Sequence, residues 1–259
     1  MNSFFIVTIS LLFVLGGCEK PVYDILYYDE MPNYNNTTKR AVYEASKFHQ
    51  VLEESKLQYP DAIPVIGYGE FEHQIKPYFF LDEDDNMIFI IDKKTKGHIL
   101  RDELHQGPTR IKGFSSNVSV KTAVLGKVRC YYAPDIKNYT WMQIHASHPF
   151  SYPIIRLVVL HSKDGKRDHI WAVMMNSLEL EAPRVWFDLG KRPEKYFDFE
   201  VDVKDNQLYV LFNKKEVLHQ DISFWEGKIN YFKIGAYITR YDDIGKVVVG
   251  FSELHYILP

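Results

Sequence analysis

Residues 197–212 read FDFEVDVKDNQLYVLF, and this run carries the clearest structural signal in the chain. From Phe197 to Val203, apolar residues alternate with acidic ones, which is the period of two expected for a strand with one face in a core and one in water. An Asp-Asn pair then predicts a turn into a second apolar run, Leu208–Phe212. The segment therefore predicts two strands joined by a turn.

The chain from about residue 76 onward repeats this pattern of short strands. Apolar runs at 78–81 and 87–91 flank an acidic turn, which predicts a hairpin. Many short strands at such spacing, with almost no helix among them, are typical of an all-β sandwich or jelly roll. The further predicted strands are 98–105, 118–132, 139–146, 154–161, 169–176, 184–189, 229–240 and 246–258.

Two segments of different character precede the strands. Residues 39–56 carry apolar side chains spaced for one helical face, which predicts a short N-terminal amphipathic helix. Residues 19–38 are polar and rich in Pro and Asn, which is typical of a tether. The predicted organisation is a tether with a helical extension over 19–60 and a β domain over 61–259.

The first 18 residues, MNSFFIVTISLLFVLGGC, predict export. The apolar stretch has the length of a signal peptide and is too short to span a bilayer comfortably. Its end, LGGC, resembles a bacterial lipobox, in which the cysteine is acylated. We therefore expect residues 1–18 to be a lipoprotein signal peptide and Cys18 to anchor the chain to a membrane, with simple secretion as the alternative. The other cysteine, Cys130, is expected to be a buried structural thiol.

Composition and motifs exclude several classes of function. Of the 259 residues, 46% are apolar and 25% charged, and the net charge of −3 argues against a general nucleic-acid binder. The chain has no P-loop and no G-x-S-x-G sequence. His145 and His148 lie three residues apart, so on a strand they point to opposite faces and predict no zinc site. We expect no metal and no cofactor.

Three predicted strands carry polar residues at alternate positions, which places those residues on one face of each strand. One interpretation is a polar cleft across a concave sheet. The other is the ordinary solvent face of antiparallel strands, and the alternation by itself favours this second interpretation. The aligned residues are Arg101, Glu103 and His105 in the first strand, Gln143 and His145 in the second, and Tyr231, Lys233, Gly235 and Tyr237 in the third.

The sequences R-x-E-L at 101–104, Q-I-H at 143–145 and Y-F-K-x-G-x-Y at 231–237 resemble, in this order, the three signature motifs of alginate lyases of polysaccharide lyase family 7. The resemblance covers the chain from about residue 76 to the C-terminus. It implies a β-jelly roll of two antiparallel sheets with an acidic polysaccharide bound on the concave face. The chain departs from the family pattern at Asp102, His105, Ile234 and 238–240.

The reaction that the resemblance implies is β-elimination across a 4-linked uronic acid, which leaves a 4,5-unsaturated uronate end. This chemistry needs a partner for the substrate carboxylate, a base for the C5 proton and an acid for the leaving O4. Arg101 and Gln143 suit the carboxylate, since a guanidinium grips it bidentately. The resemblance gives the base and acid roles to His145 and Tyr237. It leaves Glu103, His105, Lys233 and Tyr231 as candidate substrate-binding residues.

The leading hypothesis is a monomeric, exported, lipid-anchored alginate lyase. Ile144 in the middle motif is associated in the family with guluronate-containing substrate, which favours guluronate or mixed blocks. Two alternatives stay open at this point. One is a non-catalytic carbohydrate-binding lipoprotein, suggested by the departures from the motifs, and the other is a lyase for a different polyuronate such as a glucuronan.

Overall fold

Two antiparallel sheets packed face to face form a jelly-roll sandwich in the computed structural model, which describes residues 31–107 and 113–259. One sheet has eight strands in the order β10-β9-β8-β7-β14-β5-β1-β2, and we name it the cleft sheet. The other has seven strands in the order β13-β12-β11-β6-β15-β4-β3, and we name it the back sheet. The all-β prediction is confirmed. The predicted signal peptide and Cys18 lie outside the described residues.

The elements have the following bounds: α1 His49–Glu53, β1 Ser55–Gln58, β2 Pro64–Ile66, β3 Phe79–Leu81, β4 Met87–Lys93, β5 Leu100–Gln106, β6 Thr122–Cys130, β7 Asn138–Ala146, β8 Pro153–Lys163, β9 Lys166–Met174, β10 Val185–Lys191, β11 Phe197–Lys204, β12 Gln207–Phe212, β13 Lys215–Asp221, β14 Asn230–Ile238 and β15 Gly245–Ile257.

The alternating segment that opened the sequence forms the hairpin β11–β12, with Val201 paired to Val210. Asp205 and Asn206 have φ values of 49° and 59°, the left-handed conformations that a two-residue hairpin turn requires and that Asp and Asn tolerate. The side chains on one face of the hairpin are buried between the sheets, and Asp198, Glu200 and Asp202 lie on the outer face. The buried ones are Phe197, Phe199, Val201, Val203, Leu208, Val210 and Phe212. The alternation therefore predicted correctly which face of the hairpin points into the core.

Aromatic side chains fill the space between the sheets. Trp141 of the cleft sheet meets Phe199 of the back sheet edge-on, with ring centroids 5.2 Å apart, and Phe89 meets Phe251 at 5.8 Å. Burying each such side chain contributes roughly 1.5–3 kcal/mol to folding. Cys130 is buried in the same core, as expected.

The amphipathic helix predicted over 39–56 is wrong in extent. The α-helix covers only His49–Glu53, short 3₁₀ turns precede it, and strand β1 begins at Ser55. Leu57 of β1 pairs with Leu104 of β5, so the segment adds a strand beside the cleft sheet's first motif strand. Pairing β5 outweighs the weak preference of a short segment for helix. Across 31–107 and 113–259, no helix is long and apolar enough to cross a membrane.

Candidate active site

The three motif strands are neighbours in the cleft sheet, with β14 between β7 and β5. Lys233 of β14 lies opposite Gln143 on one side and His105 on the other, and Tyr237 lies opposite Arg101. Directly paired residues share a face of a sheet. The structure therefore brings all eight residues of the predicted site to one face, although they come from three distant parts of the chain.

Glu103 is the centre of the hydrogen-bond network on this face. Its carboxylate accepts a hydrogen bond from Gln143 Nε2 at 2.5 Å and forms an ion pair with Lys233 Nζ at 2.8 Å, and Arg101 Nη1 lies 3.6 Å away. Glu103 is 1% exposed and Lys233 is 2% exposed, so the ion pair is removed from water. Burial lowers the pKa of Lys233, and the Glu103 carboxylate opposes that change. Glu103 thus holds three donors in place around the cleft.

His145 is a neutral imidazole held in one tautomer. Burial lowers its pKa to about 4, against the opposing hydrogen bond from its Nδ1 to the Ala146 carbonyl at 2.8 Å. A carbonyl oxygen only accepts, so Nδ1 carries the proton and Nε2 keeps its lone pair. The hydroxyl of Tyr231 lies 3.1 Å from the same Nδ1. The basic nitrogen is therefore Nε2.

Tyr237 lies under the guanidinium of Arg101, which is 4.5 Å from the centre of the phenol ring. Burial raises the pKa of Tyr237, and the positive charge of Arg101 works in the opposite direction. The hydroxyl is therefore protonated at neutral pH and is able to donate a proton. A cation over the ring also favours a developing negative charge on the phenol oxygen.

His105 occupies the position where the family pattern has an arginine. Its ring stacks on Tyr231 with centroids 4.0 Å apart, and the Tyr68 hydroxyl lies 3.3 Å from its Nδ1. Burial, with the nearby charges of Lys233 and Lys56, lowers the pKa of His105 to about 2. His105 is therefore neutral, and it would meet a sugar through hydrogen bonds and not as a cation.

Two of the other departures from the family pattern face away from the cleft. Asp102 and Ile234 are each 0% exposed and point between the sheets. The Asp102 carboxylate accepts the Ile90 backbone N–H at 3.0 Å, and burial raises the pKa of Asp102 well above its usual range. Neither side chain is placed to touch a ligand in the cleft.

Gly235 lies where the pairing of β14 with β7 is irregular, between Lys233 and Tyr237 in the sequence. Its φ is +141°, and a Cβ at this position would lie 2.2 Å from the backbone oxygen of Asp102. The register with β7 shifts between Ile234 and Tyr237. The glycine of the third motif is thus required by backbone geometry, because a side chain would push β14 away from β5.

The cleft contains a cavity of about 240 Å³ that is more cationic than the sequence predicted. Arg156 lies opposite Gln143 in the β7–β8 register, and Arg184 joins it from the segment before β10. Arg156 makes no hydrogen bond or salt bridge to any residue in the described ranges, and burial lowers its pKa. The only signal in the sequence was a lone arginine within the apolar run of 154–161. The cavity is lined by Arg101, Gln143, His145, Pro153, Arg156, Arg184 and Tyr237.

A jelly roll with an imidazole, a phenol and three arginines in one cleft defines a carbohydrate-active protein suited to an anionic chain. Comparison with known proteins gives the family. The family model described as alginate lyase matches residues 54–256, and the chain belongs to that family, polysaccharide lyase family 7. The protein is accordingly a polysaccharide lyase.

The relatives are distant in sequence but similar over most of their length. An alginate lyase of Photobacterium sp. (strain ATCC 43367) is 22% identical over 254 residues, covering 82% of this chain and 84% of that protein. The structure of alginate lyase AlyC3 superposes with a TM-score of 0.73 at 21% identity, covering 88% of this chain and 99% of that one. Alginate lyase A1-II′ gives a TM-score of 0.67 at 18% identity, covering 82% and 97%. These structures share the fold.

Proposed function

We propose that the protein cleaves alginate by β-elimination in the cavity lined by Arg101, His145 and Tyr237. The observation that carries the proposal is the convergence, in one cavity, of a neutral imidazole, a protonated phenol and carboxylate-binding groups. Family membership supports the polymer. AlyC3 has also been solved in complex with dimannuronate, a fragment of such a chain.

Arg101 and Gln143 would bind the carboxylate of the sugar whose C5–H bond breaks. Gln143 gives one amide N–H to Glu103, and its second N–H remains for the substrate. Pairing the carboxylate with a guanidinium offsets the charge that builds up when the C5 proton leaves. The two residues thus make a weakly acidic carbon easier to deprotonate.

His145 Nε2 would accept the C5 proton, and the Tyr237 hydroxyl would donate its proton to O4. The electron pair of the C5–H bond forms the C4–C5 double bond as the C4–O4 bond breaks, and the products are an unsaturated end and a free hydroxyl. Where C5–H and O4 lie on one face of the sugar, Tyr237 in its phenolate form, which the Arg101 guanidinium over its ring favours, would take the C5 proton and pass that same proton to O4. Glu103, Lys233, Tyr231 and His105 would position the substrate and the reacting residues.

The expected preference for guluronate or mixed blocks rests on the motif alone. Ile144 is 1% exposed and belongs to the core between the sheets, so it does not touch a sugar. Any influence of this residue on the preference must therefore pass through its neighbours in the strand, Gln143 and His145.

The first experiment follows the ultraviolet absorbance of the unsaturated product. The full chain is incubated with polyguluronate, polymannuronate, mixed alginate and a glucuronan. We expect absorbance to rise on alginate and to be abolished in Tyr237→Phe, while Tyr209→Phe, a matched change in the back sheet, leaves it unchanged. No rise on any alginate from folded protein would overturn the proposal, and a rise on glucuronan alone would reassign the substrate.

We also propose that residues 1–18 direct export, that Cys18 carries a lipid anchor and that the jelly-roll domain, which includes β1, is a monomer. The lipobox-like end of the apolar stretch supports the anchor. The full chain should partition into detergent after expression in a bacterium, and Cys18→Ala should move it to the aqueous phase. Equal partitioning of both proteins would contradict the anchor and favour simple secretion.

A further inference from the structure

A second cavity, of about 270 Å³, lies apart from the cleft and shares no lining residue with it. Its floor is formed by β4 and β15 of the back sheet, where Asp92 and Lys246 are direct cross-strand partners. The N-terminal segment around Tyr34 forms one wall, and Tyr59 and Tyr78 form another. The cavity is therefore as large as the catalytic one and is built from a different part of the fold.

The cavity has an excess of positive charge. Lys39 and Lys246 line it together with a single acid, Asp92, which is already paired with Lys94 at 2.6 Å. Lys246 makes no hydrogen bond or salt bridge to any residue within the described parts of the chain, and burial lowers its pKa. A half-buried ammonium whose nearby acid, Asp92, is already paired with Lys94 favours an anionic ligand, because the anion restores the interactions lost from water.

The remaining lining suits a sugar better than a small inorganic anion. The rings of Tyr59 and Tyr78 are stacked with centroids 3.5 Å apart, and both side chains are half-buried. An aromatic ring packs against the C–H face of a pyranose, and phenol hydroxyls, like the Asp92 carboxylate, form hydrogen bonds with sugar hydroxyls. A mixed aromatic and cationic surface of this size fits a uronic acid.

We propose that this cavity is a second, non-catalytic binding site for an acidic sugar residue of the polysaccharide that the cleft cleaves. The carboxylate would lie against Lys246 and Lys39, and the ring would pack against the tyrosine pair. The identity of the polymer rests on the proposed function. Holding one long chain at two places raises its effective concentration at the cleft, so the second site serves polymers and not short fragments.

Calorimetric titration of a cleavage-deficient chain tests the proposal. An alginate tetrasaccharide is titrated into Tyr237→Phe, which should bind two molecules per chain. Adding Lys246→Glu should weaken one of the two sites by about tenfold or more, since a charge-assisted contact becomes a repulsive one. Lys204→Glu, the same change at an exposed lysine that ends β11, should leave both sites intact, and Lys246→Ala serves if the reversal reduces folding.

A single bound molecule, with an affinity that Lys246→Glu and Lys246→Ala leave unchanged, would overturn the second site. In a chain that keeps Tyr237, Lys246→Glu should leave kcat/KM on the tetrasaccharide at the wild-type value and lower kcat/KM on long polymer. A variant with the wild-type kcat/KM on both substrates would also count against the second site. The titration needs no turnover, so loss of the proposed lyase activity and loss of the second site are separate results.

Discussion

Neutralising Glu103 should destabilise the protein through the cation that it leaves behind. In Glu103→Gln the Lys233 ammonium, which is 2% exposed, no longer faces a carboxylate 2.8 Å away. Removing one partner of a buried ion pair typically costs about 3–5 kcal/mol. An upper limit follows from titration, because Lys233 can instead lose its proton. From a reference pKa of 10.4 to pH 7, at 1.36 kcal/mol per pH unit, deprotonation costs about 4.6 kcal/mol.

The expected loss is therefore about 3 to 4.6 kcal/mol at pH 7, and it should depend on pH in a defined direction. Where the folded variant holds Lys233 neutral, its unfolded state binds the extra proton, so the stability of the variant rises with pH up to the unfolded pKa near 10.4. At pH 9 the upper limit falls to about 1.9 kcal/mol. Adding Lys233→Met to Glu103→Gln removes the unpaired cation and should restore most of the loss.

Urea unfolding of the four proteins of this double-mutant cycle, at pH 7 and pH 9, measures the effect. With a slope of about 3 kcal/mol per molar for a domain of this size, the midpoint of the single variant should fall by about 1–1.5 M urea. A loss below about 1 kcal/mol, or a double variant no more stable than Glu103→Gln, would refute the assignment of Glu103 as the counter-charge of Lys233.

Three further outcomes follow from the cleft. Because the pKa of His145 is lowered to about 4, the imidazole stays neutral well below pH 6.5, so the acid limb of kcat/KM should fall near pH 4; a limb near 6.5 would show that another group, or an unperturbed histidine, limits the reaction. Arg156→Ala should lower kcat/KM by about 10- to 150-fold, mainly through KM, since a charge-assisted hydrogen bond contributes about 1.5–3 kcal/mol. Unchanged kinetics on the polymer would mean that this guanidinium does not contact the substrate. Gly235→Ala should both destabilise the fold and abolish activity, because its Cβ would lie 2.2 Å from the Asp102 oxygen; circular dichroism and the absorbance assay would expose the error if the variant behaved as wild type.

The alternation of residues in the sequence predicted which side chains of the motif strands share a face. It could not predict contacts that depend on how distant strands pair. The alternation around Arg101, Gln143 and Tyr237 correctly placed these residues on one face of each strand. Arg156 was missed because its place opposite Gln143 depends on the β7–β8 register, which shifts twice along the pair. No local rule predicts such irregularities, since each one is a compromise between sheet twist and packing.

The N-terminal segment illustrates the opposite error. Its apolar spacing over 39–56 predicts one helix, whereas the α-helix ends at Glu53 and the chain turns into β1, which pairs with β5. A segment of this length forms a helix only weakly by itself, and an available strand edge decides its conformation. The sequence also could not predict that His105 is neutral. Its pKa is lowered by burial and by the charges of Lys233 and Lys56, which lie far from it in the sequence.

The central position of β14 has a consequence for the way the molecule is made. Residues 230–238 insert between β5, at 100–106, and β7, at 138–146, so the last motif to be synthesised joins the first two. A chain emerging from the ribosome has no cleft until nearly its whole length is available, and until then β5 and β7 each present an open edge to other chains. Activity should therefore appear late and all at once during refolding, and nascent or C-terminally clipped molecules should aggregate without ever passing through a partly active form.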